Sequence, residues 1–129
     1  MAQATVTSGS SDFEMVATIR NHKVIIDESA GNGGQDKGAA PTEMLCASLA
    51  SCTAITIKMY LNHKQWKTDG ITVDVSQSAN AEGKNVFSSN IEVKGAFDAE
   101  QKNRILAIAN KCPVHKALEA GNIIETVVV

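Results

Sequence analysis

The stretch Pro41-Thr42-Glu43-Met44-Leu45-Cys46-Ala47-Ser48-Leu49-Ala50-Ser51-Cys52-Thr53-Ala54-Ile55-Thr56-Ile57 decides the architecture. Pro41 suits the first position of a helix, where its missing N–H costs nothing, and Glu43 favours the positively polarised end. No glycine or proline interrupts the chain from Met44 to Leu61, which predicts one long helix. Between Met44 and Ile57 that helix carries no charge on any face, the pattern of a helix surrounded by protein rather than lying on a surface. A chain of 129 residues can hardly wrap a helix of about 30 Å on every side, so a second subunit is expected.

Upstream, Phe13, Met15, Ala17 and Ile19 alternate with Glu14, Thr18 and Arg20, predicting a strand that ends at Arg20. Asn21-His22-Lys23 reads as a turn and Val24-Ile25-Ile26 as the returning strand of a hairpin. The run Gly31-Asn32-Gly33-Gly34-Gln35-Asp36-Lys37-Gly38 has no periodicity and lacks the Gly-Lys-Ser/Thr ending of a phosphate-binding loop, so it is a connection. Downstream, Ile71, Val73 and Val75 open a second strand region at Gly70, Ser78 to Asn85 is a polar turn, and Phe87, Ile91 and Val93 form a strand ending near Gly95. This sheet is expected to be antiparallel. Trp66 is expected to pack beneath the strand that follows it. Asp98 with Gln101 matches an N-cap and its capping-box partner for a helix reaching about Lys111, and Pro113 begins a short helix that Gly121 ends. Ile123 to Val129 reads as a last strand.

A mass of 13.6 kDa fits one domain, taken here as residues 1–129. A net charge of −2 gives no basic footprint for nucleic acid or an anionic membrane, and an aromatic fraction of 4% argues against base or sugar stacking platforms. No run is read as reaching the roughly 18 apolar residues of a membrane span, the best candidate carrying a charge at each end in Glu43 and Lys58, and Met1 to Asp12 lacks the pattern of a secretory signal. A cytoplasmic location is therefore expected. Three cysteines cannot all pair within one chain, and structural disulfides are rare in a reducing compartment, so the thiols call for a chemical reading.

Cys52 lies several turns from the positive end of its helix, so the helix dipole alone cannot activate it, and it needs a cation. The bland alternative is a small buried hydrophobe, as for Cys46. Cys46 and Cys52 are six residues apart and point about 120° away from each other, which disfavours a bridge between them. Cys112 stands before Pro113 at a helix start, where backbone N–H groups can stabilise a thiolate. Sequence neither requires nor forbids a disulfide between Cys52 and Cys112. Cys112 with His115 could offer two metal ligands, but no second ligand pair accompanies them. A Cys-His hydrolase using Cys52 and His115 is geometrically open, whereas His22 and His63 read as surface residues.

Three segments together resemble the OsmC/Ohr family: Gly38-Ala39-Ala40-Pro41-Thr42-Glu43-Met44-Leu45, Ala47-Ser48-Leu49-Ala50-Ser51-Cys52-Thr53-Ala54-Ile55-Thr56, and Cys112-Pro113-Val114-His115-Lys116. Asp27-Glu28, Gly70-Ile71-Thr72-Val73 and Ile124-Glu125-Thr126 extend the likeness over most of the chain, which looks more like the general OsmC-like branch than the hydroperoxide-resistance branch. The resemblance implies an α+β fold with antiparallel sheets around long central helices in an intertwined homodimer. It implies a thiol-dependent peroxidase acting on organic hydroperoxides, with Cys52 peroxidatic and Cys112 resolving, no cofactor, and an external dithiol reductant. Family members are associated with lipoyl-type dithiols or small-molecule thiols.

A thiol near pKa 8.5 is only a few per cent ionised at pH 7, and lowering it by two units takes about 2.7 kcal/mol, which one well-placed guanidinium can supply. The family uses an arginine from the N-terminal region, and Arg20 occupies that place here. Its bland reading is an exposed hairpin-end arginine. In the hydroperoxide-resistance branch an acidic residue directly after the proline orients the arginine. Here Thr42 holds that position and Glu43 comes one step later, turned by about 100°. Nine residues of helix put Glu43 roughly 13 Å along the axis from Cys52, so Glu43 would serve the other subunit's site. The competing functions are a non-catalytic redox sensor or ligand-binding protein of the same fold, and a Cys-dependent hydrolase.

Overall fold

The computed structural model describes all residues, Met1–Val129, in two compact units, Met1–Leu45 and Cys46–Val129. The first unit is a three-stranded antiparallel sheet in the order β1 (Thr5–Ser8), β2 (Met15–Ile19), β3 (His22–Ile26). β1 escapes sequence analysis because all four of its residues are exposed, so no apolar alternation marks it. The hairpin is tighter than expected. Ile19 pairs with His22, so the turn is Arg20-Asn21 and both His22 and Lys23 belong to β3.

The glycine-rich connection after β3 is organised by Asp27, whose side chain is 1% exposed. Its carboxylate accepts the backbone N–H groups of Glu28 at 2.8 Å and of Gln35 and Lys37 at 3.2 Å each. The loop folds back so closely that a Cβ at Gly34 would collide with the Glu28 carbonyl oxygen, and one at Gly38 with that of Ile25. Lys37 also reaches Glu14 at 3.1 Å, tying the loop to the start of β2.

Helix α1 runs Pro41–Lys64, as its uninterrupted sequence predicts. Within the second unit its Ile57 and Leu61 form the core with Ile105 and Ala109 of α2 (Ala99–Ala109). The inward-facing Ile71, Ile91 and Val93 of the antiparallel pair β4 (Gly70–Ala79) and β5 (Asn85–Lys94) pack against them. Trp66 joins this core, edge-on to Tyr60 at 5.6 Å between ring centroids. The expected turn at 78–85 shrinks to Asn80–Lys84, because the solvated end of a hairpin accepts polar residues on both faces. The capping box forms in full: the Asp98 carboxylate accepts the Gln101 N–H at 2.8 Å, and Gln101 Oε1 accepts the Asp98 N–H at 2.9 Å.

α2 stops short of Lys111, and α3 (Pro113–Ala120) follows Cys112, which is held in the extended conformation that precedes proline. The expected strand at Ile123 to Val129 is absent. β-branched residues favour a strand only where an edge receives them, and here Ile123, Ile124, Val127, Val128 and Val129 are all exposed. The α+β class and the antiparallel sheets stand as read.

Candidate functional site

Two helix positions in the second unit bring sulfur to sulfur. Cys52 projects from the middle of α1, and Cys112 is the N-cap of α3. The two are near enough to influence each other's ionisation, and both are free thiols. Cys112 is fully buried, with 0% exposure, whereas Cys52 keeps part of its surface open. Of the two sulfurs, Cys52 is the one an incoming molecule can meet.

The start of α3 supplies the polar surroundings. With Pro113 at its first position, the free N–H groups of the first turn face Cys112, and the N–H of His115 donates to its Sγ at 3.4 Å. The Val114 N–H serves both sulfurs. From α1, Thr53 neighbours Cys112 and Thr56 neighbours Cys52, each favouring the anion of its sulfur. Thr53 is itself 3% exposed.

These contacts divide the acidity unequally. Burial pushes the Cys112 thiol up, but hydrogen bonds from the Cys52 thiol, the His115 N–H, the Thr53 hydroxyl and the Val114 N–H outweigh it and hold Cys112 below the ordinary thiol value. Burial also pushes Cys52 up, and its hydrogen bond to Cys112 and the charge of that neighbour push it further. The two thiols titrate as a pair, and their surroundings hold Cys112 down and push Cys52 up. Sequence analysis expects Cys52 to need a cation and Cys112 to draw on the backbone N–H groups of its helix start, and the His115 N–H supplies the latter.

Of the remaining named residues, Arg20, His22 and Glu43 lie in the first unit and His63 and His115 in the second. Arg20 occupies the hairpin tip with a left-handed backbone, φ 57°, and no carboxylate lies within ion-pairing distance of it. Glu43 sits in the third position of α1 and accepts the Ala40 N–H through Oε1 at 2.8 Å, a capping contact. His115 turns its main-chain N–H toward sulfur, while its Nε2 faces Glu119 Oε2 at 3.2 Å. His22 and His63 are exposed, as expected.

Sequence reasoning missed the two threonines near the sulfurs, whereas the backbone N–H groups it expected at Cys112 are present in the His115 N–H. The available signal for the threonines was a hydroxyl one and four residues after Cys52 on a helix.

The family described as OsmC-like protein matches residues 34–127. A proposed osmotic stress induced and detoxification response protein from Psychrobacter arcticus is similar at 26% identity, with 90% of this chain and 87% of that one aligned and a TM-score of 0.76. An OsmC-like protein from Mycoplasma pneumoniae shares the fold at 19% identity, with 92% and 87% aligned and a TM-score of 0.72. An organic hydroperoxide resistance protein OsmC from Legionella pneumophila does so at 18% identity, with 92% and 88% aligned and a TM-score of 0.64. No curated protein matches the chain.

Proposed function

The chain belongs to the OsmC-like protein family, and from that membership we propose that it is a thiol-dependent peroxidase that reduces organic hydroperoxides. The observation that carries this reading is the contact between a half-open Cys52 and a buried Cys112 whose sulfur is solvated by the start of α3. Such a pair suits two successive displacements at sulfur. The Cys52 thiolate attacks the terminal oxygen of the hydroperoxide, the O–O bond breaks, and the departing alkoxide takes a proton to become an alcohol. Cys52 is left as a sulfenic acid. The Cys112 thiolate then attacks the Cys52 sulfur, the S–O bond breaks, hydroxide leaves as water after protonation, and a disulfide forms. An external dithiol, of lipoyl type or a small-molecule thiol in the cytoplasm, restores both thiols.

The first step requires the anion on Cys52, whereas the dipoles of the single chain favour Cys112. A cation beside Cys52 reverses that order, and Arg20 is the residue proposed for it. The two-residue turn imposes a left-handed backbone at Arg20, as the first of its two residues. An arginine costs about 1 kcal/mol there relative to glycine. Glu43 is proposed to orient the guanidinium through the carboxylate oxygen that does not cap α1.

The proposed assembly is a homodimer with the sites at its seam. Ser48, Ser51, Ile55 and Met59 recur at helical spacing along one uncharged face of α1 and are exposed, with Ile55 at 55% and Met59 at 68%. Cys52 borders that face. The hydrolase reading has less to draw on, because His115 meets Cys112 through its main-chain N–H and no hydrogen bond joins its ring to either sulfur.

Peroxide consumption in the presence of a dithiol tests the proposal. The wild-type protein should turn over many equivalents and Cys52→Ser none. Turnover that persists in Cys52→Ser refutes the mechanism, and acyl-ester release without reductant would point to the hydrolase instead.

A further inference from the structure

Between β5 and α2 the second unit carries a cleft of about 330 Å³, walled by Ile91, Val93, Phe97, Ile105 and Leu106 together with the charged Glu92 and Lys102. Neither cysteine of the dithiol lines it. We propose that this cleft binds an amphipathic anion, an unbranched aliphatic carboxylate whose chain lies against the apolar walls and whose headgroup meets Lys102. The proposal goes beyond the peroxidase reading and does not depend on it.

The walls follow from the periodicities of the two elements. Side chains of β5 alternate, so Ile91 and Val93 share its inward face, while Lys102, Ile105 and Leu106 stand three and four residues apart on α2 and share one face of that helix. Phe97 closes the end, and Gly95 gives its ring room: a Cβ at Gly95 would come within 2.8 Å of Phe97 Cε2. Ile105 is anchored in the core, whereas Leu106 is 56% exposed and leaves apolar surface open at the cleft. Apolar walls with a few charged groups, enclosing a volume of this order, are the usual form of a small-molecule site. The charges select the molecule. The Glu92 carboxylate lies 4.0 Å from the Lys94 ammonium on its own strand, while Lys102 is exposed and takes part in no ion pair. An anion at the cleft therefore meets a cation that no carboxylate of the chain engages. A cationic amphiphile would meet the same ammonium as a like charge, and a neutral alcohol would fill the walls without using it.

The chain's one tryptophan reports on the cleft, since the rings of Trp66 and Phe97 lie 6.5 Å apart between centroids. Trp66 fluorescence and calorimetry follow titrations of the full-length protein with decanoate, decanol and decyltrimethylammonium, each below its micelle concentration. Decanoate should saturate and bind about fivefold more tightly than decanol, the worth of one exposed charge pair, with the cationic amphiphile weakest. Octanoate should bind about fifteenfold more weakly than decanoate, because each buried methylene is worth about fourfold. Lys102→Gln should bring decanoate down to the affinity of decanol and leave decanol unchanged, whereas Lys102→Arg should keep the preference. Leu106→Ser should weaken decanoate and decanol alike. Lys102 and Leu106 are both exposed, so these variants leave the core intact, which circular dichroism verifies. Absence of a saturable decanoate signal, as when a second copy of the chain covers the cleft, overturns the inference, and so does a preference for decanoate that survives Lys102→Gln. None of these readouts uses peroxide turnover, so the failure of one reading is distinguishable from the failure of the other.

Discussion

Cys112 accepts the His115 N–H at 3.4 Å, and the Cys52 thiol beside it favours its anion, so the deeper sulfur is the more acidic of the two. This order determines how each sulfur should titrate alone. Removing that thiol in Cys52→Ala should move the Cys112 ionisation to higher pH than the first step of the wild-type protein. Removing the neighbouring anion in Cys112→Ala should move the Cys52 ionisation to lower pH than the second wild-type step. Thiolate absorbance against pH measures both, and opposite directions would reverse the assignment of the anion.

Arg20 carries a conflict between fold and function. Its φ of 57° belongs to glycine or asparagine, while the proposed chemistry needs its guanidinium. Arg20→Gly should stabilise the hairpin by about 1 kcal/mol and raise Tm by a few degrees, while dithiol-dependent peroxide consumption falls at least about tenfold. Calorimetry and the turnover assay must move in opposite directions. A variant that keeps full turnover removes Arg20 from the site.

The sequence made the long helix legible because Met44 to Leu61 lacks any breaker, and the capping box of α2 because Asp98 and Gln101 interact locally. The site was legible as two cysteines in distinctive surroundings. Their relative acidity was not, because it depends on Thr53, Val114 and His115, which only the meeting of α1 with the start of α3 brings to the sulfurs. β1 and the tail failed for a shared reason. Strand formation is settled by the availability of an edge, which Thr5–Ser8 finds on β2 and Ile123 to Val129 does not find within its own chain.

Asp27 makes the glycine-rich loop sensitive to acid. Burial raises its carboxyl, but the N–H groups of Lys37, Glu28 and Gln35 outweigh that and hold it below its ordinary value of 3.8. A depressed carboxyl contributes its stability in full above the unfolded value and loses it as pH falls through the folded one. Asp27→Asn should lower Tm by several degrees at neutral pH, and the gap from wild type should close below about pH 3.8. Thermal melts across the acid range check this, and a gap that widens toward low pH contradicts it.

A homodimer seam along α1 predicts a coupling between assembly and reactivity. Ile55 lies at the centre of the uncharged exposed face, three residues beyond Cys52. A carboxylate placed there would have to be desolvated by any partner that covers it, at a cost of several kcal/mol when unpaired. Ile55→Glu should therefore shift sedimentation from dimer to monomer at micromolar concentration, while the core of Ile57, Leu61, Ile105 and Ala109 stays folded, as Trp66 fluorescence and circular dichroism would report. If Arg20 reaches Cys52 only across the seam, the same variant should also lose the rapid alkylation of Cys52, and raising its concentration until the dimer reforms should bring that reactivity back. A dimer that withstands Ile55→Glu places the interface on another face, and a monomer that alkylates as fast as wild type removes the partner from the activation of Cys52.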